Sequence, residues 1–198
     1  LPFPSKIEFL GTIHNVEKLQ NSFGQKIISR KVKKYFVLSE YLFEEVKNIK
    51  KLKFEFFYPI FFKETKFIEL NKPSGEIWIV IPGKVEFKRR DYLSLFEQIE
   101  NKGINNNIKI ILLGKCLHQE GDGRYVKETV KKLNIENNFI IWDNFLDNQI
   151  FHSYLKAADF ILPLIHQNHI CFEMYTKKQI TGAYNLAFAY KIPLLIEK

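Results

Sequence analysis

Short apolar runs alternate with amphipathic stretches along most of the chain. Residues 77–81 (IWIVI), 108–113 (IKIILL), 139–142 (FIIW), 160–164 (FILPL) and 193–196 (PLLI) are almost wholly apolar. Runs of that length suit strands buried on both faces. Between them, residues 92–100 bring Leu93, Phe96 and Ile99 to one side of a helix, and residues 125–133 read as another. Ile150, Phe151, Tyr154, Leu155 and Ala158 form a third apolar stripe, with Asp147 placed to cap its helix. Thr181-Gly182 opens a last helix over residues 183–190. The alternation predicts an α/β fold, a parallel sheet with helices on both faces. Right-handed crossovers then gather the loops after the strands along one edge, where such folds bind ligands. Those loops are 82–91, 114–124, 144–147 and 165–182.

The first third is less regular. Residues 6–14, 35–39 and 53–57 read as strands and 40–47 as a helix. The polar stretch 63–75 (KETKFIELNKPSG) contains Pro73 and Gly75 and reads as a linker. The expected organisation is an incomplete α/β domain over 1–62, the linker 63–75, and a larger α/β domain over 76–198.

Composition narrows the setting. With 46% hydrophobic and 26% charged residues the 198-residue chain is globular rather than disordered. Two cysteines, Cys116 and Cys171, cannot build a disulfide framework, which points to a reducing, cytoplasmic compartment. No apolar run approaches the roughly 18 residues of a membrane-spanning helix. The net charge is +8, and the first 50 residues, with nine basic and five acidic side chains, carry half of it. Its densest part is Lys26, Arg30, Lys31, Lys33 and Lys34, a cluster suited to acidic lipid, a phosphorylated ligand or simply solvent. No helix-turn-helix, RNA-recognition or zinc-finger pattern accompanies it, so nucleic acid is not an expected partner. His166, His169 and Cys171 have a spacing that zinc tolerates, but no fourth ligand is apparent, although Cys116 and His118 share another loop; no metal is expected. No strand is followed by a GxGxxG or Walker-type loop.

Five stretches, taken in order, resemble the nucleotide-sugar-binding half of the GT-B glycosyltransferases (glycosyltransferase group 1, family 4-like). They are IVIPGKVEFKRRDY (79–92), IILLGK (110–115), GDGRYVKETVKKLNI (121–135), NNFIIWDNFLDNQIFHSYLKAADFILPL (137–164) and KKQITGAYNLAFAYKIPLLI (177–196). Ahead of them, TIHN (12–15) and VLSEYL (37–42) are similar to the last elements of that family's acceptor-side domain. The resemblance implies a Rossmann-like donor domain, truncated at its C-terminus, behind the tail of an N-terminal domain. The chain would then be a piece of a longer enzyme; its single Met is Met174. The implied reaction moves a hexosyl group from a nucleotide-diphosphate sugar to a glycan or lipid-linked acceptor in bacterial surface-polysaccharide synthesis. No cofactor is implied, since the nucleotide sugar is a substrate. The alternative is a non-catalytic donor-binding half that needs a separate acceptor-binding partner.

The residues fit that chemistry. A departing diphosphate is stabilised by cations and by a helix N-terminus. Gly83 allows a tight turn into a loop crowded by Lys84, Lys88, Arg89 and Arg90, and Gly114 ends the next strand. Thr181 and Gly182 start a helix just after Lys178, and Asn185 sits one turn in, in reach of a hydroxyl. His14 resembles the acceptor-side histidine that faces the transferred sugar. Each has a plainer reading: a solvated helix entry for the basic loop, a cap for Thr181, a packing glycine for Gly182 and a structural histidine for His14. Many retaining relatives carry two glutamates with seven residues between them around the last helix. Lys178 and Leu186 occupy the comparable positions, which leaves retention or inversion open. The basic first quarter and the run FEFFYPIFF (54–62) also suit peripheral contact with the inner membrane face, a strand and packing surface being the plainer account of that run.

Overall fold

Alternation along each strand decides which side of its sheet a residue serves. In the computed structural model, which describes residues 7–61, 66–117 and 121–196, the chain forms two compact units. One comprises residues 1–59 with 173–180; the other comprises 60–172 with 181–198. Lys6, linker residues 63–65 and His118 lie outside the described residues.

The second unit is built on four parallel strands, β4 (Ile77–Pro82), β5 (Ile108–Lys115), β6 (Phe139–Trp142) and β7 (Phe160–Ile161), in the order β6-β5-β4-β7. Ile81, Ile110 and Leu112 face one side and pack under α4 (Tyr92–Lys102) and α5 (Asp122–Lys132), which contribute Tyr92, Phe96, Ile99, Val126 and Val130. Trp78, Val80, Ile111 and Leu113 face the other side, against Leu155 of α6 (Asn148–Ala157) and Ala183, Leu186 and Ala187 of α7 (Gly182–Tyr190). A sheet buried on both faces has no polar side to spend, hence its unbroken apolar strands. Asp159 ties its lower edge, accepting from the Trp78 amide (2.7 Å) and pairing with Lys72 (2.5 Å). Asp147 caps α6 as the sequence predicts, accepting from the Gln149 amide at 2.7 Å.

Two strands expected in this unit are cut short. The run 160–164 is strand only at Phe160–Ile161, because Pro163 has no amide hydrogen and Leu164 turns away at φ +52°. The run 193–196 keeps one bridge, Ile161 with Leu194.

The first unit carries three parallel strands in sequence order: β1 (Leu10–Ile13), β2 (Lys34–Val37) and β3 (Lys53–Phe56). Tyr35 and Val37 of β2 meet Ile13, Leu42 and Val46 in its core. Gly11 lies under the Tyr35 ring, which a Cβ would approach to 2.5 Å. Ser39 caps α3 (Glu40–Val46), its hydroxyl accepting from the Leu42 amide. Two short helices that the sequence pattern does not announce, α1 (Lys18–Asn21) and α2 (Phe23–Ile28), lie between β1 and β2. Residues 173–180 join this unit: the Tyr41 hydroxyl donates to the Gln179 carbonyl (2.7 Å) and the Val16 amide to that of Lys178 (2.9 Å). Among the described residues no helix is long and apolar enough to cross a membrane.

Candidate functional site

The C-terminal ends of β4 and β5 are fastened to each other before either loop begins. Gly83, at φ +103°, donates its amide to the Leu113 carbonyl (2.8 Å), and Val85 donates to the Lys115 carbonyl (3.3 Å). Gly114 lies directly against the Gly83 backbone, where a Cβ would collide with the Gly83 carbonyl. Both glycines singled out in the sequence therefore meet, and each is needed for a steric reason.

The basic loop that follows is organised by a residue that its cations overshadow in the sequence. Glu86 is 3% exposed and holds Lys84 at 2.8 Å and Arg89 at 2.5 Å. Burial alone would raise its carboxyl. The hydrogen bond from Lys84 and the charges of Arg89, Lys84 and Lys88 outweigh that and hold it below the ordinary carboxylate range. Its signal in the sequence is that the segment 84–90 has one acid among four cations. Counting Asp91 as well, residues 84–91 keep a net charge of +2.

Arg90 takes a different place from its neighbour. It is 8% exposed and donates to the carbonyls of Pro82 and Pro163, bridging the ends of β4 and β7. Arg89 is more than half exposed at the side chain, and Lys84 about a third. Asp91 donates its amide to the Leu164 carbonyl (2.9 Å) and caps α4 at the Ser94 amide (3.1 Å). On the other side, the Phe87 amide donates to Asp122 at the start of α5 (2.9 Å).

His169 and Cys171 close over the same loop. The Phe87 carbonyl, 2.7 Å from Nε2 of His169, only accepts, so Nε2 donates to it; on the other side of the ring Nδ1 lies 2.8 Å from the Cys171 sulfur, whose thiol reaches the Arg89 carbonyl at 3.3 Å. Cys171 is buried, and desolvation foremost pushes its thiol up. Both residues are thus engaged with the loop after β4. Among the described residues no three His, Cys, Asp or Glu side chains gather as a metal site. A cavity of about 190 Å³ beside Leu164, His166 and Leu195 has a mainly apolar lining, unsuited to a diphosphate.

The remaining candidates stand elsewhere. Thr181 is buried and caps α7, its hydroxyl accepting from the Ala183 amide (3.4 Å). Gly182 faces open space, and a Cβ added there would meet nothing within 4 Å. Asn185 follows one turn later, and its buried Oδ1 has no hydrogen-bond partner among the described residues. His14 and Lys178 belong to the first unit: His14 is exposed just past β1, and Lys178 pairs with Glu17 at 3.1 Å. The second unit thus brings together Gly83, Lys84, Arg89, Arg90 and Gly114 at one corner, with Thr181, Gly182 and Asn185 on a separate helix.

No known family pattern matches the chain, and no curated protein matches it significantly. Solved structures do. A glycosyltransferase from Rickettsia africae is similar with TM-score 0.53 at 20% identity, over 78% of this chain and 44% of that one. A sucrose-phosphate synthase from Thermosynechococcus elongatus gives 0.62 at 14% identity, over 94% and 49%. Anabaena HepE, solved in complex with UDP, gives 0.58 at 10% identity, over 94% and 52%. The chain spans about half the length of these structures. At such identities the likeness carries the architecture, and that architecture, two parallel sheets with helices on both sides, is the α/β fold of the GT-B glycosyltransferases.

Proposed function

We propose that the second unit binds the diphosphate of a nucleotide sugar and that the chain is part of a glycosyltransferase. The observation that carries this reading is the cationic corner at the ends of β4 and β5, where the turn at Gly83, packed on Gly114 and Arg90, fixes the start of the loop and Glu86 steadies Lys84 and Arg89. Fixed cations at a sheet edge stabilise a leaving diphosphate without reorganising when charge develops. The α7 N-terminus at Thr181 and Gly182 adds amide donors and the positive end of its dipole, and Asn185 offers a hydroxyl partner. Arg90 serves by holding the loop rather than by touching phosphate. UDP, seen in the HepE structure, is the first nucleotide to try.

The finer reading is proposed with it. A hexosyl group passes to a glycan or lipid-linked acceptor of a bacterial surface polysaccharide, His14 faces the transferred sugar, and the cytoplasmic protein attaches peripherally to the inner membrane face. Calorimetric titration with UDP, GDP, ADP, CMP and dTDP, with and without a divalent cation, tests the core of this. One nucleoside diphosphate should bind without metal, and Lys84→Ala or Arg89→Ala should weaken it roughly tenfold each, the worth of a charge-assisted hydrogen bond. No binding by any nucleotide to the folded chain would overturn it.

A further inference from the structure

Helix α2 has its polarity reversed. Gln25 and Ser29 point inward: Gln25 Nε2 donates to the Tyr35 hydroxyl at 2.8 Å, and the Ser29 hydroxyl lies 2.9 Å from the same oxygen. At 100° per residue, Phe23 and Ile27 fall on the opposite side. They are 76% and 47% exposed, Ile28 is 52% exposed, and α2 buries none of its residues. Rotating the helix to hide these side chains would strip the buried Tyr35 hydroxyl of its partners, so the apolar face is fixed outward.

Charge says what covers that face. From Lys18 to Ser39 the sequence has six basic residues and no acidic one. Lys34 is paired with Glu55, and the Lys33 ammonium donates to the Ser29 carbonyl. Lys26, Arg30 and Lys31 are exposed and have no acidic partner among the described residues. Outward apolar side chains flanked by unpaired cations fit an anionic lipid surface, the apolar groups entering the acyl boundary and the cations meeting the headgroups.

We infer that α2, through Phe23 and Ile27 with Lys26, Arg30 and Lys31, docks the chain on anionic lipid. This rests on the membrane attachment proposed above, keeps the basic first quarter as its charged part and puts α2 in place of the aromatic run as its apolar part; it is independent of nucleotide binding. The test is co-sedimentation of the chain with vesicles of phosphatidylcholine and phosphatidylglycerol in equal parts, and with phosphatidylcholine alone. The chain should bind the mixed vesicles and ignore the neutral ones. Phe23→Ser with Ile27→Ser should weaken binding at least tenfold. Lys26→Gln, Arg30→Gln and Lys31→Gln together should weaken it on the order of a hundredfold. Both variants change exposed side chains, so circular dichroism and the urea midpoint should match the parent. Phe61→Ser, in the aromatic run, should bind normally. Loss with Phe61→Ser but not with the α2 variants would overturn the α2 assignment and leave membrane attachment standing. Equal binding to neutral vesicles would remove the charge argument and overturn it too. Failure of the parent chain to sediment would sink both readings, and a mobility shift with RNA would then give the patch to another polyanion.

Discussion

Glu86 shows how a single buried carboxylate can set the character of a basic loop. Replacing it by Gln keeps the shape and removes the charge that holds Lys84 and Arg89, both partly solvated. The expected cost is about 1–2 kcal/mol at neutral pH, read from urea midpoints. Because the folded carboxyl titrates below its ordinary value, its stabilisation is complete above about pH 4.5 and fades as pH falls through the lower folded value. The midpoints of the parent and Glu86→Gln should therefore converge as the pH falls below the ordinary carboxylate range and through the lowered folded value; a gap that survived in acid would assign the effect to packing. Arg90 is the structural counterpart. Arg90→Met leaves the carbonyls of Pro82 and Pro163 without that donor and should cost about 2–4 kcal/mol with no nucleotide present, while Arg89→Ala stays within about 1 kcal/mol. Composition makes the cluster of cations visible, yet it cannot say which arginine turns inward, because that depends on carbonyls 73 and eight residues away.

At the scale of elements, the legible parts are those whose pattern is local. Strands β4, β5 and β6 announce themselves because both faces of their sheet are buried. α5 begins three residues earlier than the periodicity suggests, since Gly123 is a close-packing residue against the Cys116 carbonyl and not a breaker. α2 is hidden from a pattern search because its polar side faces in, the reverse of the usual helix signal. Two glycines separate packing from access. Gly114→Ala drives a methyl into the Gly83 carbonyl, which is backbone and cannot yield, and should cost at least about 2 kcal/mol. Gly182→Ala meets open space and should leave the urea midpoint within about 0.5 kcal/mol of the parent. If Gly182→Ala nonetheless weakens nucleotide binding, the α7 N-terminus lies at the ligand; if not, the anion sits on the β4–β5 corner alone.

Across the whole molecule, the path of the chain is the least legible feature. It leaves the second unit after Phe172, packs Ile180 into the first unit's core and returns at Thr181. Only contacts distant in sequence, such as Tyr41 with the Gln179 carbonyl, decide that excursion, so no local pattern foretells it. The overall α/β class, by contrast, follows from the alternation of apolar runs alone. The two thiols of the second unit add a property of another kind. Both are buried, and desolvation foremost pushes Cys116 up to about 11 and Cys171 above its ordinary value, so neither reacts until the protein opens. They are clocks set at different depths. Cys116 lies in the core beneath α5, and Cys171 in the clasp over the β4 loop. In native conditions a thiol reagent should label Cys171 well before Cys116, the first rate timing local opening and the second the unfolding of the unit. A nucleotide that seats on the β4 loop should slow the fast clock more than the slow one, so ligand occupancy becomes readable as elapsed time.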